Sequence, residues 1–536
     1  MSATTTAKPD FGKWRSRLWP IHTWELKKFI PMALMFFFIN FNYTILRDTK
    51  DALVVTAPGS GAEAIPFLKL WGVLPFAVIF MLFYSKLSNL FSKPKLFYTM
   101  ISVFIGFFAL FLFVLYPNRD VLHPNAFADQ LQAYLPQGFS GLIAIIRNWT
   151  YSLFYIMSEL WGSVAMSLLF WGFANDTTRS VEAKRFYGVF GLGANVAMIV
   201  SGPLIIHFSK MRASLAPGAD PWGMTLNYLM GMFVLAAFVV MGIYWWINKN
   251  VLTDARFYDS SEQKKAKKEK PKMSMGESFK YLAKSKYVGL IALLVVSYGI
   301  AINLVEVTWK SQLKLQFGSN ANAYSAFMGE FSLLTGIITT LMMLFVSSNV
   351  IRRFGWSTAA LITPIVLLVT GVGFFSFIIF KDSLTSLVAI MGTTPLMCAI
   401  LFGQAQNIMS KSTKYSLFDP TKEMAYIPLD QEAKVKGKAA IDVVGARLGK
   451  SGGALINQGL ILLFGSIAVI TPYVAAILFF IIFAWMWAAK SLGKQVTALT
   501  QEKEEQAKAM AAQAEAGATT TAEAENTAYA KVPVQR

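Results

Sequence analysis

The sequence predicts an all-α polytopic membrane protein with twelve transmembrane helices in two six-helix halves. Composition is the first reason. Of 536 residues, 55% are hydrophobic and only 15% charged, where a soluble domain carries roughly 45–50% apolar and about 25% charged residues. This balance excludes a soluble enzyme. Run length is the second reason, because apolar stretches such as 29–46 and 473–489 match the roughly 20 residues that one bilayer crossing requires. The third is a basic segment at mid-chain, 249–275, holding Lys264, Lys265, Lys267, Lys268, Lys270 and Lys272, which reads as a solvated linker between two halves.

Apolar windows, broken at Pro, Gly and charge clusters, place six segments before the linker, at 29–56, 66–92, 95–116, 140–174, 180–208 and 222–248. Six more follow it, at 285–316, 322–350, 355–380, 384–414, 433–465 and 469–492. Several are longer than a bilayer is thick, so they are expected to tilt or to extend into water. The expected domains are an N-terminal tail 1–28, a first half 29–248, a linker 249–284, a second half 285–492 and a tail 493–536. Ala, Glu and Thr dominate that last tail, which points to disorder or loose helix. Shifting the chain by 250 residues aligns Glu182-Ala183-Lys184 with Glu432-Ala433-Lys434 and Ser201-Gly202 with Ser451-Gly452, in the fifth and eleventh segments. Two homologous halves around a midplane site are the plan of the major facilitator superfamily.

Lys and Arg exceed Asp and Glu by 49 to 30, a net charge of +19, which favours anions at any cavity or surface. With the N-terminus inside, the basic groups gather on inner segments, and the outer loops keep only Arg119, Lys210, Arg212 and Lys381. The asymmetry puts both termini in the cytoplasm. Residues 1–28 lack the short apolar core and small-residue site of a cleavable signal, and lack the composition of an organelle transit peptide. Cys398 is the single cysteine, so no intramolecular disulfide is expected. His22, His123 and His207 lie far apart, so neither a metal site nor a cofactor is expected.

Eight basic residues remain within the apolar segments: Arg47, Lys50, Lys69, Arg147, Lys310, Lys314, Arg447 and Lys450. Each opposes insertion by about 2.5–3.5 kcal/mol at the bilayer centre, so each must face water, a counter-ion or an anionic ligand. Helical spacing gathers them into polar stripes. On the first segment the stripe is Asn40, Thr44, Arg47 and Lys50 or Asp51; on the fourth it is Arg147, Tyr151, Tyr155 and Glu159. The seventh carries Asn303, Glu306, Lys310 and Lys314, and the tenth Gln404, Asn407, Lys411 and Lys414. The eleventh adds Lys434, Lys438, Asp442, Arg447, Lys450 and Ser451. Internal pairing would set Asp48 or Asp51 against Arg47 and Lys50, Glu306 against Lys310 and Asp442 against Lys438. Bases still outnumber acids on the stripes, and the surplus suits a polyphosphate, held bidentately by Arg and as a point charge by Lys. Gly445 to Ser451 imitates a phosphate-binding P-loop, but has three residues between its glycines where that loop needs four, and no preceding strand. Trp149, Tyr151, Phe154 and Tyr155 could stack on a base or simply pack between helices.

Four stretches carry a family resemblance: LRDTKDALVVTAPGSGAEAIPFLKLWGVLP from Leu46, SELWGSVAMSLLFWGFAN from Ser158, AKRFYGVFGLGAN from Ala183 and SLFDPTKEMAYIPLDQEAKVKGKAAIDVVGARLGKSGGALIN from Ser416. They resemble the nucleotide transporter family, the non-mitochondrial ATP/ADP translocases of chlamydiae, rickettsiae and plastids. The resemblance implies import of host ATP in exchange for ADP, by alternating access, across a bacterial inner membrane. It also implies that Lys50, Glu159, Glu306 and Lys450 are essential. The working assignment gives Arg47, Lys50, Arg447 and Lys450 to the phosphates. Arg147, Tyr151, Tyr155, Asn303, Lys310, Asn407 and Lys411 complete the expected substrate-binding set. The expected partners are ATP, ADP and the lipid bilayer, with phosphate co-transport open, no nucleic acid and a monomeric state. The alternative is a proton-coupled nucleotide importer in which Glu159 or Glu306 carries the proton. A membrane enzyme or ATP-driven pump is disfavoured, because neither a soluble nucleotide-binding domain nor a nucleophile and acid constellation is visible.

Overall fold

In a bilayer every backbone polar group must be satisfied within the protein, so long apolar runs fold as helices. The computed structural model describes residues 15, 19–211, 220–254, 257, 277, 280, 284–429 and 431–529, apart from the side chains of 180, 181, 184, 348, 431, 432, 435, 442–444, 446, 447, 450, 503, 504 and 507–529. The lysines of the central linker named above therefore lie outside the described residues. All regular structure among the described residues is helical.

The first six long helices are α1 (Leu26–Thr56), α2 (Ala64–Leu90), α3 (Lys93–Leu115), α4 (Trp149–Thr177), α5 (Ser180–Lys210) and α6 (Pro221–Asn250). After the linker come α7 (Lys286–Phe317), α8 (Ala321–Val346), α9 (Ser347–Ile379), α10 (Pro395–Ala425), α11 (Gln431–Phe464) and α12 (Ile467–Tyr529). Among the described residues, ten helices are long and apolar enough to cross a membrane, or eleven if the bent pair Lys381–Ile390 and Pro395–Ala425 is one span. The protein is thus an all-α, multi-pass membrane protein. In α11 only Ser451–Phe464 forms an apolar helix, because the earlier turns carry Lys434, Lys436 and Lys438.

Three expected segments are corrected. The fourth is not continuous over 140–174: a short helix, Ser140–Arg147, ends at Asn148 (φ −107°, ψ 47°) before α4 begins. The tenth is not one helix over 384–414, since the two arms meet at 92°, with Gly392 at φ 71° and Pro395 opening the second arm. Only glycine takes that φ without strain, and proline suits a helix start. The last helix runs past the expected end at 492 to Tyr529, through an Ala- and Glu-rich sequence of high helix propensity.

Buried tryptophans tie α1 to α4 and α7 to α10. Trp161 of α4 donates to the Ile39 carbonyl of α1 at 3.1 Å, and Trp309 of α7 donates to the Ile400 carbonyl of α10 at 3.0 Å. α5 and α8 pack along one another. Ser209 donates to Ser325 at 3.0 Å, and the Asn322 amide to the Ser209 carbonyl at 3.1 Å. The backbones approach so closely that a Cβ on Gly202 would lie 2.7 Å from the Gly329 carbonyl oxygen, the close packing that small residues allow between membrane helices. Gly202→Val is therefore expected to destabilise the protein by about 1–3 kcal/mol or more through overpacking. Gly188→Ala, where a Cβ meets open space, is expected to hold or slightly raise the melting temperature in detergent, since alanine is the better helix former.

Candidate functional site

The intramembrane charges converge where α1, α2, α4 and α7 meet. Lys50 of α1 lies between Glu159 of α4 (3.1 Å) and its own neighbour Asp51 (2.9 Å), and its Nζ sits 3.9 Å from the centre of the Tyr155 ring. Asp51 also takes Lys310 of α7 at 2.7 Å, and Lys310 reaches Glu306 one turn back at 2.7 Å. Glu306 in turn takes Lys69 of α2 at 3.0 Å, and Lys69 donates to the Asn303 side-chain oxygen at 2.7 Å. The result is one chain of six charges, Glu159, Lys50, Asp51, Lys310, Glu306 and Lys69, with no net charge. Beside it, Arg47 pairs with Asp48 at 2.9 Å and donates to Ser332 of α8 at 2.6 Å, while Ser332 donates to Asp48.

Burial divides this network. Lys50, Asp51 and Lys310 are 2–3% exposed, whereas Lys69, Glu159 and Glu306 are 20–31% exposed. It therefore has a dry edge and a wet edge. At the dry edge removal of one partner leaves an uncompensated charge, at a cost of about 3–5 kcal/mol. The Tyr155 and Tyr324 hydroxyls are buried with no hydrogen-bond partner among the described residues. α2 is π-helical at this level, over Leu68–Val73, and α4 becomes so just past Glu159, over Gly162–Phe170. Such segments re-aim side chains and are frequent at functional sites.

The structure thus brings together Arg47, Lys50, Tyr155, Glu159, Asn303, Glu306 and Lys310. Lys411 of α10 lies over the Phe331 ring at 4.6 Å and makes no ion pair among the described residues. Asn407 is 3% exposed and donates to the Gly403 carbonyl of its own helix at 2.9 Å. The side chains of Arg447 and Lys450 lie outside the described residues, although both positions are on α11. Lys438 pairs with Glu423 at 2.6 Å, and the side chain of Asp442, its expected partner, lies outside the described residues.

Arg147 does not share a helix face with Tyr155 and Glu159. The break at Asn148 leaves it on the short helix beside Gly59, and its guanidinium pairs at 2.6 Å with Asp129, which is 69% exposed. Tyr151 likewise stands apart from the ion pairs. It lines a cavity of about 430 Å³ with Thr56, Trp222, Asn320 and Asn322, at the end of the bundle where α1 finishes. An ion pair with so exposed a partner is worth about 0–1 kcal/mol. Arg147→Ala is accordingly expected to change transport by no more than about fivefold, measured as initial uptake rate at equal expression.

Sequence reasoning left three participants out of the site. Lys69 is only an unexplained intramembrane base in the sequence, Asp51 stands on the first stripe as the alternative to Lys50 and as a counter-ion, and Ser332 carries no mark of its own. Ser325, Ser332, Thr335 and Thr339, all fully buried, recur at helical spacing on α8, and that stripe carried the signal for Ser332.

A helical bundle with a charged centre shared between two sets of membrane helices is the arrangement of a secondary transporter. The chain belongs to the TLC ATP/ADP transporter family, whose family model matches residues 4–496. It is 63% identical to ADP,ATP carrier protein 1 of Chlamydia muridarum (strain MoPn / Nigg) over 503 residues, covering 94% of this chain and 95% of the relative. It is 55% identical to the chloroplastic ADP,ATP carrier protein 1 of Arabidopsis thaliana, covering 94% and 78%. With ADP,ATP carrier protein 1 of Rickettsia bellii (strain RML369-C) it shares 44% identity over 94% of this chain and 100% of the relative. Two solved structures share the fold at 12% identity. A bacterial homologue of the iron transporter ferroportin, inward-facing, has a TM-score of 0.51 with 88% and 98% coverage. A D-xylose–proton symporter has a TM-score of 0.50 with 88% and 97% coverage. At that identity the likeness shows the fold alone.

Proposed function

We propose that this chain is a carrier, not an enzyme, and that it exchanges ATP for ADP across a bacterial inner membrane by alternating access. The observation that carries the reading is the lysine and carboxylate network joining α1, α2, α4 and α7, in a chain whose relatives are ADP,ATP carriers. In this reading α1 to α6 and α7 to α12 are the two halves of a twelve-span, major-facilitator-like bundle. The halves are 29–248 and 285–492, the termini and the linker face the cytoplasm, and the unit is a monomer. Arg47, Lys50, Lys310, Lys411, Arg447 and Lys450 take the phosphates, with phosphate co-transport open. Asn303 and Asn407 offer amides, Tyr155 offers a ring and a hydroxyl, and Tyr151 and Arg147 make the outermost contacts.

Glu159 and Glu306 hold lysines in place while the site is empty. Arriving phosphate oxygens are stronger claimants by charge, and they take those lysines over. Both carboxylates are engaged by ammonium groups at 2.7–3.1 Å, which favours a pairing role over proton carriage. Exchange also needs a driving force. If ATP carries one more negative charge than ADP, importing it against an inside-negative potential costs about 2.3 kcal/mol per 100 mV. A tenfold concentration ratio supplies about 1.4 kcal/mol, so the combined nucleotide gradients must be steep or a co-transported ion must cancel the charge.

The experiment is uptake of labelled ATP into proteoliposomes with and without internal ADP, each with and without a proton uncoupler. Uptake that needs internal ADP and survives the uncoupler is expected. Uptake into empty vesicles that collapses with the uncoupler would replace exchange by proton symport.

A further inference from the structure

Two ion pairs in the network cross from the first half of the chain to the second, and they are reciprocal. Asp51 of α1 faces Lys310 of α7 at 2.7 Å, and Lys69 of α2 faces Glu306 of α7 at 3.0 Å. Each half gives one cation and one anion. The Lys69 pair is set up by local backbone geometry, because Lys69 lies in the π-helical turn Leu68–Val73. That turn directs Lys69 to α7, while Trp71, two residues on, is 68% exposed. Asn303 holds the same ammonium at 2.7 Å and fixes its position over Glu306. Lys50 is six residues, or about 9 Å of helix, from the end of α1, so the crossing pairs lie next to the cavity at that end of the bundle, with Lys69 and Glu306 at the wet edge of the network.

We propose that Lys69 is a gating residue, and that its bond to Glu306, with Lys310 to Asp51, is the lock that keeps the two halves together at this end when no nucleotide is bound. The proposal rests on the exchange reading. Separating α1 and α2 from α7 breaks both pairs at once and strands two cations and two carboxylates. Phosphate oxygens entering from the wet edge give the two lysines a new partner before the carboxylates let go, so the loaded carrier opens and the empty one stays shut. In the empty carrier Lys69 acts through Glu306, and the coupling of one crossing to the next is what it sets.

A double-mutant cycle tests this. Lys69→Gln and Glu306→Gln are each expected to lower ATP/ADP exchange by about tenfold or more, and the double variant Lys69→Gln/Glu306→Gln to stay within about threefold of the worse single variant, because the pair is already broken. Independent roles for the two groups predict losses that multiply, so a double variant about tenfold or more below the worse single variant overturns the proposal. Lys69→Gln is also read in empty vesicles. The ratio of ATP uptake into ADP-loaded over empty vesicles is expected to fall by about fivefold or more, and an unchanged ratio overturns the lock. The parent chain is the control for the underlying reading: if it fills empty vesicles as fast as ADP-loaded ones, exchange itself is wrong, whatever the variants do.

Discussion

Replacing Lys50 by alanine is expected to reduce exchange to about 1% or less of the parent rate, a loss of about 3 kcal/mol or more. Lys50 is 3% exposed and is claimed by Asp51, Glu159 and the face of Tyr155. The alanine variant removes a positive partner for the phosphates and also frees Glu159, which then repels them. Asp51 keeps Lys310, so the fold keeps part of its charge balance and the variant should still reach the membrane. Uptake rate measured against surface expression separates loss of transport from loss of protein. Uptake above about one tenth of the parent rate would remove Lys50 from the phosphate site.

Lys310→Met is expected to have the larger effect on stability. This lysine is 2% exposed and joins Asp51 of α1 to Glu306 of α7. Its loss leaves the six-charge chain with one excess carboxylate at its driest point, at a cost of about 3–5 kcal/mol. The double variant Lys310→Met/Asp51→Asn should recover most of that stability, since Lys50 keeps Glu159 and Lys69 keeps Glu306. Exchange should remain lost in both variants. Thermal unfolding in detergent supplies the first comparison and vesicle uptake the second. Equal melting temperatures for Lys310→Met and the parent would contradict the structural role given to this group.

Lys50, Glu159, Glu306 and Lys310 were legible because a charge inside an apolar helix has few physical outcomes, and three- and four-residue spacing tells which charges share a face. Spacing along one helix says nothing about which helix stands opposite. The meeting of Lys69 with Glu306 depends on how α2 packs against α7 and on a π-helical turn that Leu68–Val73 does not announce. Pairing across helices is hidden for the same reason: in space Asp51 serves two lysines and six of the groups cancel, while Lys411, over the Phe331 ring, stays outside that balance.

The helix breaks divide in the same way. Gly392 and Pro395 do signal the 92° bend of the tenth segment, but the apolar residues around them masked it. Asn148 breaks the fourth segment with neither proline nor glycine, and misplaced Arg147 on the stripe as a consequence. The Arg447 and Lys450 positions on α11 followed from periodicity alone.

In the proposed exchange, phosphate recognition falls to the intramembrane lysines. The most direct measurement is equilibrium binding of ADP and of adenosine to the purified protein, by calorimetry. Two or more charge-assisted hydrogen bonds to phosphate should make ADP bind at least about 100-fold more tightly than adenosine, and Lys50→Ala should remove most of that difference. Adenosine binding as tightly as ADP, or an ADP affinity indifferent to Lys50, would contradict it.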